Sequence, residues 1–186
     1  MKLSLFKRTP GKKSENKKIR REGNVPGILY GLKQEVQNIY IKGEELQAVF
    51  RTLKSGLLPT TVFTLEGEGK TCQAIVKDIH YHPTTYAVEH IDFVVLEAKT
   101  PVSVNVPIAL LGTAECPGVK LGGFLRQVIR TLKVNCLPKD IPQQFTLDVQ
   151  NLQIAESKRL SDIAIPSSVR PLAKSMNEVA VVVAKR

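Results

Sequence analysis

Long apolar runs, paired cysteines and compact catalytic motifs are what this sequence lacks. No stretch approaches the roughly eighteen apolar residues of a membrane span; the longest candidate is Val179 to Ala184. The opening residues, Met1 to Lys7, hold no apolar block of the length a secretory signal needs. The expected compartment is therefore the cytoplasm, with no membrane partner. Cys72, Cys116 and Cys136 are far apart and odd in number. That excludes a disulfide framework or a zinc ribbon and leaves three small apolar side chains in a reducing compartment. There is no phosphate-cradling glycine loop, no nucleophile elbow and no metalloprotease helix. Leu121-Gly122-Gly123-Phe124 lacks the Lys and Ser/Thr of a nucleotide site and reads as a backbone turn. Nothing here calls for a cofactor or a small-molecule substrate.

What the sequence does hold is positive charge, unevenly placed. Lys and Arg number 27 against 17 Asp and Glu, a net +10 over 186 residues. Residues 1–23 carry nine basic and two acidic side chains, residues 24–96 six and eight, residues 97–186 twelve and seven. A basic arm on a nearly neutral body suggests a polyanion partner, because each cation that neutralises a phosphate releases a counterion. A plain solvated tail has the same composition. Hydrophobic residues make up 42%, enough for a packed core in one large or two small domains.

Lys12 to Gly23 predicts a short helix capped by Ser14 and running through Glu22, with Gly23 as a left-handed stop. Asn16, Lys17 and Arg20 share one face of it, and Lys13 leads in. Its one clearly apolar residue is Ile19, so the helix is expected to be stable only when docked on a charged surface. Pro26-Gly27 breaks the pattern before a strand at Ile28 to Tyr30. A second strand covers 36–42. Gly43 to Gly56 predicts a helix on Leu46, Val49, Phe50 and Leu53. A hairpin follows, TVFTLE, the EGEG turn and a long strand from Lys70. After the His82–Thr85 turn, Tyr86 to Leu96 predicts a strand with Ile91, Phe93 and Val95 on one face, His90 and Asp92 on the other. At residues 97–100 the texture changes. Val102 to Leu110 alternates cleanly, with Pro107 favouring an edge or a bulge, and further apolar segments lie at 128–137, 145–149 and 178–184. Two mainly β domains, 1–96 and 97–186, are the expected organisation.

The pairs His80-x-His82 and His90-x-Asp92 admit three readings. They could converge on a metal, as in a metal-dependent hydrolase, although Pro83 turns the chain directly after His82. They could be exposed strand residues with no function. Or they could read RNA, with imidazole and carboxylate on base edges while the basic helix holds phosphates.

Three strings, KKIRREGNVPGILYG (Lys17 to Gly31), HYHP (His80 to Pro83) and EHIDF (Glu89 to Phe93), resemble the twenty-fifth protein family of the bacterial large ribosomal subunit. The strings VSVNVPIALLG, VKLGGFL and NCLPKDIP resemble the extra domain of that family's longer Ctc, or general stress protein, form. The resemblance runs in order along nearly the whole chain. It implies a six-stranded β-barrel with short helices, then a β-rich second domain. It also implies a non-enzymatic constituent of the large subunit that binds the loop E region of 5S rRNA through its first domain. A stress-induced RNA-binding protein only transiently on ribosomes is the alternative within the same resemblance. The RNA contacts it implies fall on Arg8, Lys13, Asn16, Lys17, Arg20, Tyr30, His80, His90 and Asp92. The family often has Gln where His80 stands, and Ser and Arg where Asn16 and Lys17 stand; Lys lacks the bidentate fork of Arg. The acidic tail of many longer members is absent from this sequence, which ends Lys185-Arg186.

Overall fold

In the computed structural model the chain divides into two compact units, Met1–Thr100 and Pro101–Arg186. The structure describes residues 1–8, 13–31, 34–54, 56–67 and 70–185, with backbone only at 13, 34 and 70. Both units are mainly β.

The first unit is a closed six-stranded barrel. Its strands are β1 (Lys2–Lys7), β2 (Asn24–Gly31), β3 (Gln34–Lys42), β4 (Val62–Gly67), β5 (Lys70–Tyr81) and β6 (Val88–Val95), in the order β1-β3-β2-β6-β5-β4. Pairings β2–β6 and β1–β4 are parallel and the rest antiparallel. Alternation sends Leu3, Ile39, Ile41, Leu65, Ala74, Val76, Ile91 and Phe93 inward, where they form one core. Phe63 and Phe93 meet edge to face there, centroids 6.3 Å apart at 81°.

Two helices accompany the barrel, α1 (Lys13–Arg21) and α2 (Gly43–Thr52). Leu46 and Val49 of α2 enter the core, and Phe50 and Leu53 pack against it. This helix ends a turn earlier than the apolar spacing predicts. Leu53 is already extended (φ −87°, ψ 135°) and donates its N–H to Val49 O, which also accepts from Thr52 Oγ1 at 2.8 Å. Helix α1 begins at Lys13, so Ser14 lies inside its first turn rather than before it. Gly23 (φ +79°) supplies the left-handed stop. The EGEG turn lies partly outside the described residues.

Pro26 and Gly27 do not break the chain but sit inside β2. Pairing with β6 starts only at Gly27, so Pro26, lacking an N–H, faces one neighbour alone. Gly27 is needed for closeness: a Cβ there would stand 2.5 Å from Ile91 O.

The second unit has a four-stranded sheet, built from β7 (Val102–Leu111), β9 (Thr131–Cys136), β10 (Phe145–Asp148) and β12 (Arg170–Pro171) in the order β10-β7-β9-β12. A three-stranded sheet of β8 (Phe124–Gln127), β11 (Ser157–Arg159) and β13 (Val179–Ala184) runs β11-β13-β8, and α3 (Pro117–Lys120) is a single turn. Strand β7 is central, so Pro107 is not on an edge strand. It stands at the hand-over between partners: β9 pairs through Pro107 and β10 begins at Ile108.

A candidate nucleic-acid interface

Strands β2, β6 and β5 lie side by side and carry one outward face. On β6, Ile91, Phe93 and Val95 are buried while His90 and Asp92 point away from the core. Asp92 is in register with Ile28 of β2 and Asp78 of β5, and His90 with His80. A bulge creates that match. The register of β5 shifts at Lys77, between Val76 and Asp78. Were Lys77 paired as an ordinary strand residue, the inward phase of Ala74 and Val76 would pass to Asp78 and His80; because it is extra to the ladder, Ile79 turns toward the core instead.

Within this face His80 and His90 stack edge to face at 6.2 Å. His80 Nε2 lies 3.7 Å from Asp78 Oδ2, both well exposed. His90 Nδ1 lies 2.8 Å from Asp92 Oδ1, both largely covered. That oxygen is sealed from solvent and no donor reaches it in hydrogen-bond geometry. The His90 imidazole stands directly beside it. The Tyr30 phenol is pushed up from its ordinary value by burial first, then by the negative charges of Asp92 and Asp78.

Helix α1 is tethered to the barrel by polar contacts. Arg8, just beyond β1, donates from Nη1 to Asn16 Oδ1 (3.0 Å), from Nη2 to Asn38 Oδ1 (3.1 Å) and from Nε to Ile39 O (3.1 Å). Burial lowers the Arg8 guanidinium from its usual value, and Glu15 works against that. At the other end Arg20 Nε donates to Glu89 O at 3.1 Å. Asn16 and Arg20 are one turn apart, so the tethers hold one face and leave Lys17, Lys18 and Arg21 exposed.

Residues 3–93 match the model of the Ribosomal L25p family, and residues 101–186 match that of the C-terminal domain of ribosomal protein TL5. Proteins named large ribosomal subunit protein bL25 align with the whole chain over their own whole length. The identity is 48% for Chlamydia trachomatis serovar L2, 46% for Chlamydia muridarum and 42% for Chlamydia pneumoniae. The chain belongs to the L25 family of ribosomal proteins. An L25 protein is a structural constituent of the ribosome, working in the cytoplasm, and not an enzyme.

Among the residues the sequence singled out in this L25 chain, Tyr30, His80, His90 and Asp92 come together on one face. Arg8, Asn16 and Arg20 join α1 to the barrel, Lys17 is exposed, and the side chain of Lys13 lies outside the described residues. His82 stands apart: its Nδ1 faces the backbone N–H groups of Thr84 (3.4 Å) and Thr85 (3.3 Å) and the Thr84 hydroxyl (3.0 Å), capping the turn. The turn extends through Tyr86 (φ +54°) and Ala87, so β6 starts at Val88, later than the alternation suggests. Among the described residues no three His, Cys, Asp or Glu side chains are grouped to hold an ion. Asp78, Asn38 and Glu89 were not foreseen. Asp78 is separated from His80 by the period of a strand and could have been found by that spacing; Asn38 and Glu89 carry no local signal. Among the described residues no helix is long and apolar enough to cross a membrane.

Proposed function

We propose that this protein is built into the large ribosomal subunit by binding 5S rRNA, at the loop E region, through its barrel unit. The curated relatives carry a large-subunit name, and the choice of 5S rRNA rests on the resemblance of the RNA-facing residues. The observation that carries the reading is the outward face of β2, β6 and β5, where the Asp92 carboxylate stands beside His90, in register with Asp78 and close to Tyr30. A carboxylate accepts hydrogen bonds and repels phosphate, so its RNA partner is a base amine or a 2′-hydroxyl. The wide, shallow minor groove of A-form RNA admits such a sheet surface. Exposed cations of α1 then supply the phosphate contacts that set affinity but not sequence. Titrating the full chain with loop E RNA and with a regular duplex of equal length tests this. Clear preference for loop E is expected; equal affinity for both would reduce the face to a non-specific polyanion surface.

A further inference from the structure

The second unit carries an aromatic ring that its core does not use. Of the six phenylalanines in the chain, five are buried or half-buried and Phe124 alone is exposed, at 48%. Burial is the default for so large an apolar side chain, so the exposed one calls for a partner. Alternation on β8 sets Leu125 and Gln127 beside the buried Val183 and Val181, and turns Phe124 and Arg126 outward beside Ala184 and Val182. Among the described residues no carboxylate or other acceptor holds the side chain of Arg126, nor that of the exposed Arg130. The turn leading into the strand is built tightly. Gly122 takes φ +90°, and a Cβ at Gly123 would stand 2.7 Å from Gly118 O and 3.0 Å from Val183 Cγ1. Backbone packed too closely for a side chain thus fixes where the ring stands.

We propose that the outer face of β8 binds single-stranded RNA, with an unpaired base stacked on Phe124 and its phosphate held by Arg126. Residues 101–186 carry eleven Lys and Arg against six Asp and Glu, so the field of this unit favours a polyanion. A duplex hides the faces of its bases in its own stack and offers the ring nothing, whereas an unpaired base offers a π-face. Phe124 and Arg126 stand two residues apart along the strand, about 6.6 Å, the scale of one nucleotide. The contact is separate from the loop E reading of the barrel and does not rest on it.

The test takes the full chain with loop E RNA already bound, so that the barrel face is filled, and titrates an oligouridine of about ten nucleotides. The same titration on the free chain serves if loop E RNA does not bind, because dependence on Phe124 identifies the site in either case. Phe124→Ala is expected to weaken oligouridine binding about tenfold, the worth of one stacked base, and to leave loop E affinity unchanged. Arg126→Ala should weaken it too and lower the salt slope by about 0.7, one phosphate on a single strand. The chain has no tryptophan, so Phe124→Trp adds a lone fluorophore. That variant should bind at least as well as the parent and lose emission as the base stacks. An oligouridine that does not bind overturns the proposal, and so does one bound equally by Phe124→Ala and the parent, which leaves only charge. Emission from Phe124→Trp that oligouridine does not change overturns it as well, and that readout stands even if Phe124→Ala fails to fold. Because β8 is an edge strand, a glutamate-rich peptide is the control; tighter binding of the peptide than of oligouridine would make this a protein site and overturn the RNA assignment.

Discussion

The carboxylate of Asp92 stands beside His90 on its own strand, opposite Asp78 on the next, and within the field of Tyr30. Replacing it removes an acceptor while leaving the inward row Ile91, Phe93 and Val95 untouched. Asp92→Ala should weaken loop E binding by roughly 1–3 kcal/mol, the worth of a good base contact. Binding to a regular duplex should hold or improve slightly, since a negative charge has gone. Equal losses on both RNAs would mean that Asp92 maintains the barrel and reads nothing. Tyr30 gives a second test. Its phenol ionises later in the folded protein than in the unfolded chain, so the folded state binds the proton more tightly. Its contribution to stability is complete below the ordinary phenol value, about 10, and is lost as pH rises through the folded value. An alkaline absorbance titration should show late-ionising phenols from Tyr30 and Tyr81, whose burial also raises it. Tyr30→Phe should remove one of them; a titration unchanged by that substitution would place Tyr30 in water.

Among the elements, β6 and β5 differ in how openly the sequence declares them. The period of two runs without a break from His90 to Val95, so the face holding His90 and Asp92 could be read directly. In β5 the bulge at Lys77 inverts the phase midway, and no residue type marks it. Deleting Lys77 should therefore leave the phase intact: Val76 then joins Asp78 directly, Asp78 and His80 stay outward and Ile79 stays inward. In a thermal or denaturant melt the deleted chain should lose no more than the roughly 0.5–3 kcal/mol of an ordinary single change. A loss above about 4 kcal/mol, as when polar groups are buried unpaired, would show that the bulge does not set the phase. Helix α1 is the opposite case. Its charges were visible, but its docking was not, because Arg8, Asn38 and Glu89 reach it across up to 69 residues of chain. Local composition cannot show a stabilising contact of that range.

At the scale of the whole molecule, the main strands of the second unit were legible where apolar residues alternate, as in β7 and β13. Strands β11 (Ser-Lys-Arg) and β12 (Arg-Pro) were not, being short and stripped of any apolar pattern. The first unit has its own closed core, and a turn from Glu97 to Thr100 ends it. A fragment Met1–Thr100 should therefore melt cooperatively and bind loop E RNA as the full chain does. A fragment that folds but does not bind would move RNA contacts to the second unit. Closure of the barrel also has a consequence in time. Strand β1 lies between β3 and β4, which ends at Gly67, while the other sides of β4 and β2 wait for β5 and for β6, which ends at Val95. A growing chain that has passed Gly67 but not Val95 therefore carries an open sheet with two unpaired edges, exposed to wrong partners until the last stave of the barrel closes it.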